Sequence, residues 1–554
     1  MRTRILPLLL VAGLVVLALQ PVAGATATDD DDAVRVVLLS IDALDPAELA
    51  ELNDGGNPIA PTLASLRAAG TWWEQARAVM ASETLPNHVA MATGTYPGTN
   101  QIPGNDGRLQ PGDTENADPD LGVPEAREAT SLMAAIEDQC SELRTVTSLS
   151  KEYVWRTFQG EGDAVFDQPS FNIPGSGHAP ESATVPFILQ QENEAPIDFL
   201  FANLGDHDRA GHVDATGAVA DGPDGVADGA RAAQRAALTQ VDAWVQVIQQ
   251  QLQAAGEWER TVLVITSDHS MNFTISADPR WNIDTAAALE LAEVGFSREP
   301  GSTFLVSNNG GASFVYLVDD TDPEREALLE AAYDALAALP GVEETLYRQA
   351  NASDPDGAVL STVHPDWNLH QTPRAGEILV LAQDRYRMGS IDENPIPGNH
   401  GHTSTRHITA LVTGGWDGIV TGQSIAPSDP DAINEADDTA ALPEQVEQVD
   451  WAPTIGWLLG IEDPGVAAGG DPQWEGRVLE EAFSRRPGTL ACSGVTTQPV
   501  DDGAADDGGG AVDDVTQDDG EDLAATGAGT GLAAAAALGL AAVVGRRRRG
   551  AERT

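Results

Sequence analysis

The chain has 554 residues, 42% of them hydrophobic, enough for one large domain or two ordinary ones. Its 86 Asp and Glu against 30 Lys and Arg leave a formal charge of −56, so no nucleic acid held through its phosphates is expected, since that mode needs a basic surface. The same charge repels anionic substrates at long range unless salt screens it or bound metals invert the field locally.

Residues 1–25 read as a signal peptide. Arg2 and Arg4 form a positive n-region, an apolar run follows, and Ala23-Gly24-Ala25 fits a cleavage site. The length of the apolar run also suits an uncleaved membrane anchor. After an acidic stretch over 26–32, one catalytic domain is expected over 34–487. Apolar, β-branched runs predict buried strands over 34–40, 144–149, 198–204, 261–266, 313–318, 377–382 and 407–412. Helical periodicity falls between them, most clearly over 230–254 and 323–339. Alternation of this kind predicts the α/β class, with a mostly parallel central sheet sandwiched by helices. Ligands of such sheets bind beyond the carboxyl ends of the strands.

Chemistry-bearing residues gather at those ends. The first strand runs into Asp42. In the segment ASETLPNHVAMATGTYPGTNQIPGN, Pro86 and the helical run to Thr93 put Thr84 just before a helix start, where free N–H groups and the dipole favour an anion. Asn105 follows the Pro103-Gly104 turn. Lys151, the chain's only lysine, lies just past the strand over 144–149. GDHDRAGH carries Asp208 and His212, Asp268-His269 follows the strand over 261–266, and PGNHGHTSTRH carries His400. Asp and His without Cys suit zinc or another borderline divalent metal, and two metals would offset the clustered carboxylates. A metal beside Thr84 would lower its hydroxyl pKa and make it a nucleophile. Taken singly, each of these residues also reads as a helix cap or a satisfied histidine.

Three further features carry two readings each. Trp72 and Trp73 suit either stacking on a substrate base or packing under the sheet edge. The acidic insertion over 214–229 suits a mobile loop, or a calcium site through Asp214, Asp221, Asp224 and Asp228 that lacks EF-hand spacing. Cys140 and Cys492 can pair in an oxidising compartment or remain free thiols. Residues 496–522, rich in Asp, Gly and Ala, read as a self-repelling disordered linker. The pentapeptide LAATG over 523–527 resembles the sortase sorting signal of Gram-positive wall proteins, which implies joining to the cell wall. The apolar segment over 528–545, with the basic tail over 546–554, suits a transmembrane anchor by itself. Both readings expect a secreted or anchored protein with an extracellular catalytic domain.

Seven segments, SIDALD, APTLASLRAAG, SETLPNHVAMATGTYPGTNQIPGN, DRAGH, TSDHSM, GNHGH and VDWAPTIGWLLG, together resemble the alkaline phosphatase superfamily, and within it the type I phosphodiesterase/nucleotide pyrophosphatase-like family. The resemblance implies two Zn2+ ions, one held by Asp208, His212 and His400, the other by Asp42, Asp268 and His269 and touching Thr84 as nucleophile. Asp208 is preferred to Asp206 because it keeps the Asp-x-x-Gly-His spacing. Asn105 matches the asparagine that binds a phosphoryl oxygen, and His88 reads as structural. Some relatives favouring phosphate monoesters place a lysine near the phosphoryl oxygens, as Lys151 would be. Their second basic residue is Tyr153 here, and an ordinary surface lysine is the other reading. The implied activity is hydrolysis of phosphodiesters or nucleotide pyrophosphates through a phospho-threonine. A phosphomonoesterase, a phosphonate hydrolase and a non-catalytic surface-binding module are the alternatives.

Overall fold

Runs that are apolar at every position bury both faces of a strand, so they need layers on both sides. The computed structural model describes residues 33–49, 58–108, 121–161, 165–166, 177–212, 228–274, 278–298, 301–392, 397–426, 445–488 and 492. The chain falls into two units, Met1–Thr496 and Thr497–Thr554, and all described residues belong to the first. Its central sheet has eight strands: β1 (Arg35–Ile41), β2 (Thr71–Trp73), β3 (Thr145–Leu149), β4 (Val165–Phe166), β5 (Phe199–Leu204), β6 (Thr261–Thr266), β7 (Ala410–Gly414) and β8 (Gln423–Ile425), in the order β8-β2-β7-β6-β1-β5-β3-β4. Val36 of β1 faces Phe199 of β5 on one side and Val262 of β6 on the other, both in parallel register. Only β7 runs against its neighbours, β6 and β2. The expected mostly parallel sheet between helices is what the chain forms.

Side chains alternate between the two faces. Val36, Leu38, Phe199, Phe201 and Val264 pack under the helices Thr84–Thr93, Leu132–Cys140 and Trp451–Leu459. Val37, Leu39, Leu200, Leu263 and Ile265 pack under Pro61–Ala69, Glu181–Glu194 and Asp228–Ala255. The last helix buries Leu238, Val241, Val245, Ile248 and Leu252, a stripe at alternating spacings of three and four that fits one helix face. Trp72 and Trp73, adjacent on β2, enter opposite cores at 3% and 0% exposure, so packing, not base stacking, is their role.

Two expected strands leave the central sheet. The runs over 313–318 and 377–382 form Ala312–Leu317 and Ile378–Ala382 of a separate antiparallel sheet with Phe304–Asn309 and Val342–Tyr347. The two-residue turn Gly310-Gly311 sends the chain straight back, which commits the pair to antiparallel register. Gly310 has φ +61°, and a Cβ there would lie 2.0 Å from the carbonyl oxygen of His400, so the turn also props the His400 loop.

Cys140 and Cys492 are joined in a disulfide across a sequence separation of 352. Loop-closure entropy gives such a bridge an upper limit of about 5 kcal/mol. At roughly 1 kcal/mol per degree for a unit of this size, reduction or Cys140→Ser is expected to lower Tm by about 4–5 °C in a thermal scan. An unchanged Tm would mean that the cross-link constrains nothing in the unfolded chain. Among the described residues, no helix is long and apolar enough to cross a membrane. The segments over 1–25, 496–522, 523–527, 528–545 and 546–554, and the loop over 213–227, lie outside the described residues.

Candidate metal and phosphoryl site

Because β1, β5 and β6 are parallel, their carboxyl ends open on one edge, and the loops beyond them supply Asp42, Asp208 and Asp268. Asp208 and His212 share one face of the short helix Asp206–His212. His400 arrives from the loop before β7, and Thr84 opens its helix, with Glu83 at the cap position making no side-chain cap bond. Asp42, Thr84, Asp208, Asp268 and His269 are all 0% exposed.

Two groups of three side chains bring one ligand atom each within 4.8 Å of one another: Asp42, Asp268 and His269, and Asp208, His269 and His400. The first is the expected set. The second holds His269 where His212 was expected, although His212 Nε2 lies 3.1 Å from Asp208 Oδ1 and His400 Nε2 3.9 Å from it. The His269 and His400 rings stack at 3.8 Å. His269 Nδ1 donates to the Ser270 carbonyl at 3.0 Å, and His212 Nδ1 to the Gly398 carbonyl at 2.8 Å. A carbonyl only accepts, so these bonds fix the tautomer and leave each Nε2 lone pair toward the site. His269 Nε2 lies 3.2 Å from Thr84 Oγ1, 3.4 Å from Asp268 Oδ2 and 3.6 Å from Asp42 Oδ1.

Asp42 Oδ1, Asp208 Oδ1 and Asp268 Oδ2 are buried and accept no hydrogen bond from the described residues. Buried carboxylate oxygens left so are costly unless a cation takes them. Three such oxygens beside imidazole lone pairs suit divalent metal ions. Burial, then the charge of Asp268, raises the pKa of Asp42 well above its ordinary value. Burial also acts to raise that of Asp208, but His212 and Lys151 outweigh it and hold the group well below the usual carboxylate range. Burial lowers His269 and His400, which keeps both imidazoles in the neutral form that binds metals. Burial pushes Glu83 up to about 8.

Asn105 Oδ1 accepts from the Leu85 N–H at 2.8 Å, and its own N–H donates to Glu83 Oε2 at 2.9 Å. These bonds fix the side chain and leave its NH2 group to donate. Lys151 is no surface lysine. It is 8% exposed, and its ammonium contacts Asp208 Oδ2 and lies 3.4 Å from Asp42 Oδ2, one carboxylate from each group of three. Asp206 points elsewhere, accepting from His178 Nε2 at 2.7 Å, so Asp208 is the carboxylate that meets His212. His88 Nδ1 donates to the Thr84 carbonyl at 2.7 Å and braces the first helical turn.

Two residues escaped the sequence reading. Asn203 Nδ2 donates to Asp42 Oδ2 at 3.3 Å, and its position one residue from the end of β5 was the available signal. Tyr153 shares a side-chain hydrogen bond with Thr84, and burial raises its pKa, so it stays a neutral donor. The sequence marks it only as standing where some relatives carry a second basic residue, with no role of its own.

Residues 36–406 match the model of the type I phosphodiesterase / nucleotide pyrophosphatase family. Human ectonucleotide pyrophosphatase / phosphodiesterase 5 is similar in structure at TM-score 0.56 and 15% identity, over 81% of this chain and 100% of that one. The murine protein matches at TM-score 0.55 with the same identity and coverage. An inactive threonine-to-alanine variant of the murine protein in complex with AMP matches at TM-score 0.53 and 15% identity, over 77% of this chain and 95% of that one. At this identity the likeness is one of fold. No curated protein sequence matches the chain.

Proposed function

This chain belongs to the type I phosphodiesterase / nucleotide pyrophosphatase family and is a phosphoric ester hydrolase, and from that premise we propose a two-zinc phosphodiesterase with Thr84 as nucleophile. Asp208, His212 and His400 would hold one ion, and Asp42, Asp268 and His269 the other, beside Thr84. Bound there, the ions supply Lewis acidity and charge neutralisation. The observation that carries this reading is the set of buried carboxylate oxygens that accept no hydrogen bond from the described residues and face imidazole nitrogens beside Thr84 Oγ1, itself 3.2 Å from His269 Nε2.

Thr84 Oγ1 forms a bond to phosphorus while the ester P–O bond opposite it breaks, and water then hydrolyses the phospho-threonine. The Asn105 NH2 group and the free N–H at the start of the Thr84 helix donate to a non-bridging oxygen, where charge develops. A mode of binding for a singly charged group follows from the donors. Asn105 and Tyr153 are neutral, and the one nearby ammonium, Lys151, is already shared by Asp42 and Asp208. Diesters carry one charge at the phosphoryl group and monoesters carry two. The complex of a relative with AMP makes nucleotide esters and pyrophosphates the natural substrates to try. The terminal segments support an extracellular protein anchored to wall or membrane.

The zinc-loaded protein is expected to give a higher kcat/KM on bis-p-nitrophenyl phosphate than on p-nitrophenyl phosphate, by at least about tenfold. The reverse preference would make this a phosphomonoesterase, with the Lys151 ammonium turned onto the substrate. Activity on neither ester, at full metal content, would leave phosphonate hydrolysis or a binding role.

A further inference from the structure

Glu83 stands directly before Thr84, is 3% exposed, and has no part in the chemistry described above. It holds the cap position of the Thr84–Thr93 helix, yet its side chain makes no cap hydrogen bond. A polar side chain at that position ordinarily accepts from a first-turn N–H. Here that work falls to another residue, since Asn105 Oδ1 accepts the Leu85 N–H at 2.8 Å. The Glu83 carboxyl turns instead to the Asn105 segment, where Oε2 accepts the Asn105 N–H at 2.9 Å. The two bonds are reciprocal. The side chain before Thr84 holds the Asn105 backbone, and the Asn105 side chain holds the backbone after Thr84. A third bond, from the Ala81 N–H to the Pro103 carbonyl at 3.2 Å, aligns the same two segments. On the far side the Asp106 N–H donates to Asn309 Oδ1 at 3.2 Å.

Burying a carboxyl is costly, and one bond from a neighbouring backbone offsets that cost only in part. What the bond fixes is the placement of Asn105 relative to the nucleophile. Bonds that bracket Thr84 on both sides resist any slide of Asn105 along the helix start. A donor to a developing charge is effective only when it is held in place beforehand. We propose that Glu83 is a positioning residue, which holds the Asn105 NH2 group in register with Thr84 Oγ1 for the phosphoryl oxygen. This rests on the catalytic reading above and adds to it a residue that acts through Asn105.

Kinetics and amide exchange on the zinc-loaded full chain test it, with bis-p-nitrophenyl phosphate as substrate. Glu83→Met keeps the side-chain length and removes the acceptor, whereas Glu83→Gln keeps both. Glu83→Ala takes the place of Glu83→Met should that variant fail to fold. Glu83→Met is expected to lower kcat by about tenfold or more, the scale on which a displaced group acts, with KM within about threefold. Glu83→Gln is expected to recover most of that loss. Asn105→Ala should cost about 100-fold by itself. Adding Glu83→Met to it should cost no more than about threefold further, because residues that act through one another are not additive. Exchange of the amides over 104–107 should quicken in Glu83→Met and not in Glu83→Gln, while β6 stays protected. The proposal is overturned by a Glu83→Met kcat within about threefold of wild type, by a Gln variant no better than Met, by unchanged exchange, or by the full loss persisting without Asn105. Each leaves Glu83 a packing residue. A failure of the catalytic reading looks different, because Thr84→Ala and Asn105→Ala would then keep the wild-type kcat, and the proposal falls with it.

Discussion

Thr84→Ala is expected to lower kcat for phosphodiesters by roughly 10^4-fold or more, the scale on which nucleophile deletions act, with metal content and secondary structure unchanged. Thr84 Oγ1 is the hydroxyl that faces His269 Nε2 at 3.2 Å, in a residue that is 0% exposed. The lost contacts are one methyl and one hydroxyl group, so the cost in stability should stay near about 1 kcal/mol. Acid quench during turnover should trap phosphate on wild type and none on the variant. A variant within tenfold of wild type would move the nucleophile to water and remove the phospho-threonine from the mechanism.

Lys151→Met should act on stability first. In protein treated with a chelator, it leaves Asp42 and Asp208 buried without their shared cation. Breaking a buried ion pair from one side costs about 3–5 kcal/mol, which is roughly 3–5 °C in Tm for a unit of this size. Zinc should recover most of that difference, because dications and the ammonium serve the same carboxylates, and it should bind the variant no less tightly than wild type. In the loaded enzyme, kcat/KM for monoester and diester should change by the same factor, within about threefold. A fall confined to the monoester would put the Lys151 ammonium on the phosphoryl group and support the phosphomonoesterase reading.

The metal-site candidates were legible because they obey a local rule. Asp42, Asp208 and Asp268 each follow a run of apolar residues too hydrophobic to be anything but a buried strand, and parallel strands point their carboxyl ends to one edge. Thr84 was legible from Pro86 and the helical run behind it. The spacing of Asp208 and His212 put both on one helical face, and there too no distant contact was needed.

What local periodicity reports is that a segment is buried, not what it is buried against. The runs over 313–318 and 377–382 look the same as those of the central sheet, and only the turn at Gly310-Gly311 and the pairing with Phe304–Asn309, for the first, and with Ala312–Leu317 and Val342–Tyr347, for the second, took them elsewhere. The indoles of Trp72 and Trp73 were assigned by which core each face of β2 meets. The same holds for charge. The sequence by itself determined that this chain forms an α/β sheet with carboxylates and imidazoles at its strand ends, since composition and spacing act within a few residues. The tertiary structure alone decided that Lys151 joins Asp42 to Asp208, that Tyr153 reaches Thr84, and that His269 stands in both groups of three. Ion pairing and burial of charge depend on which distant segments share a low-dielectric space, and that is settled only when the chain has packed.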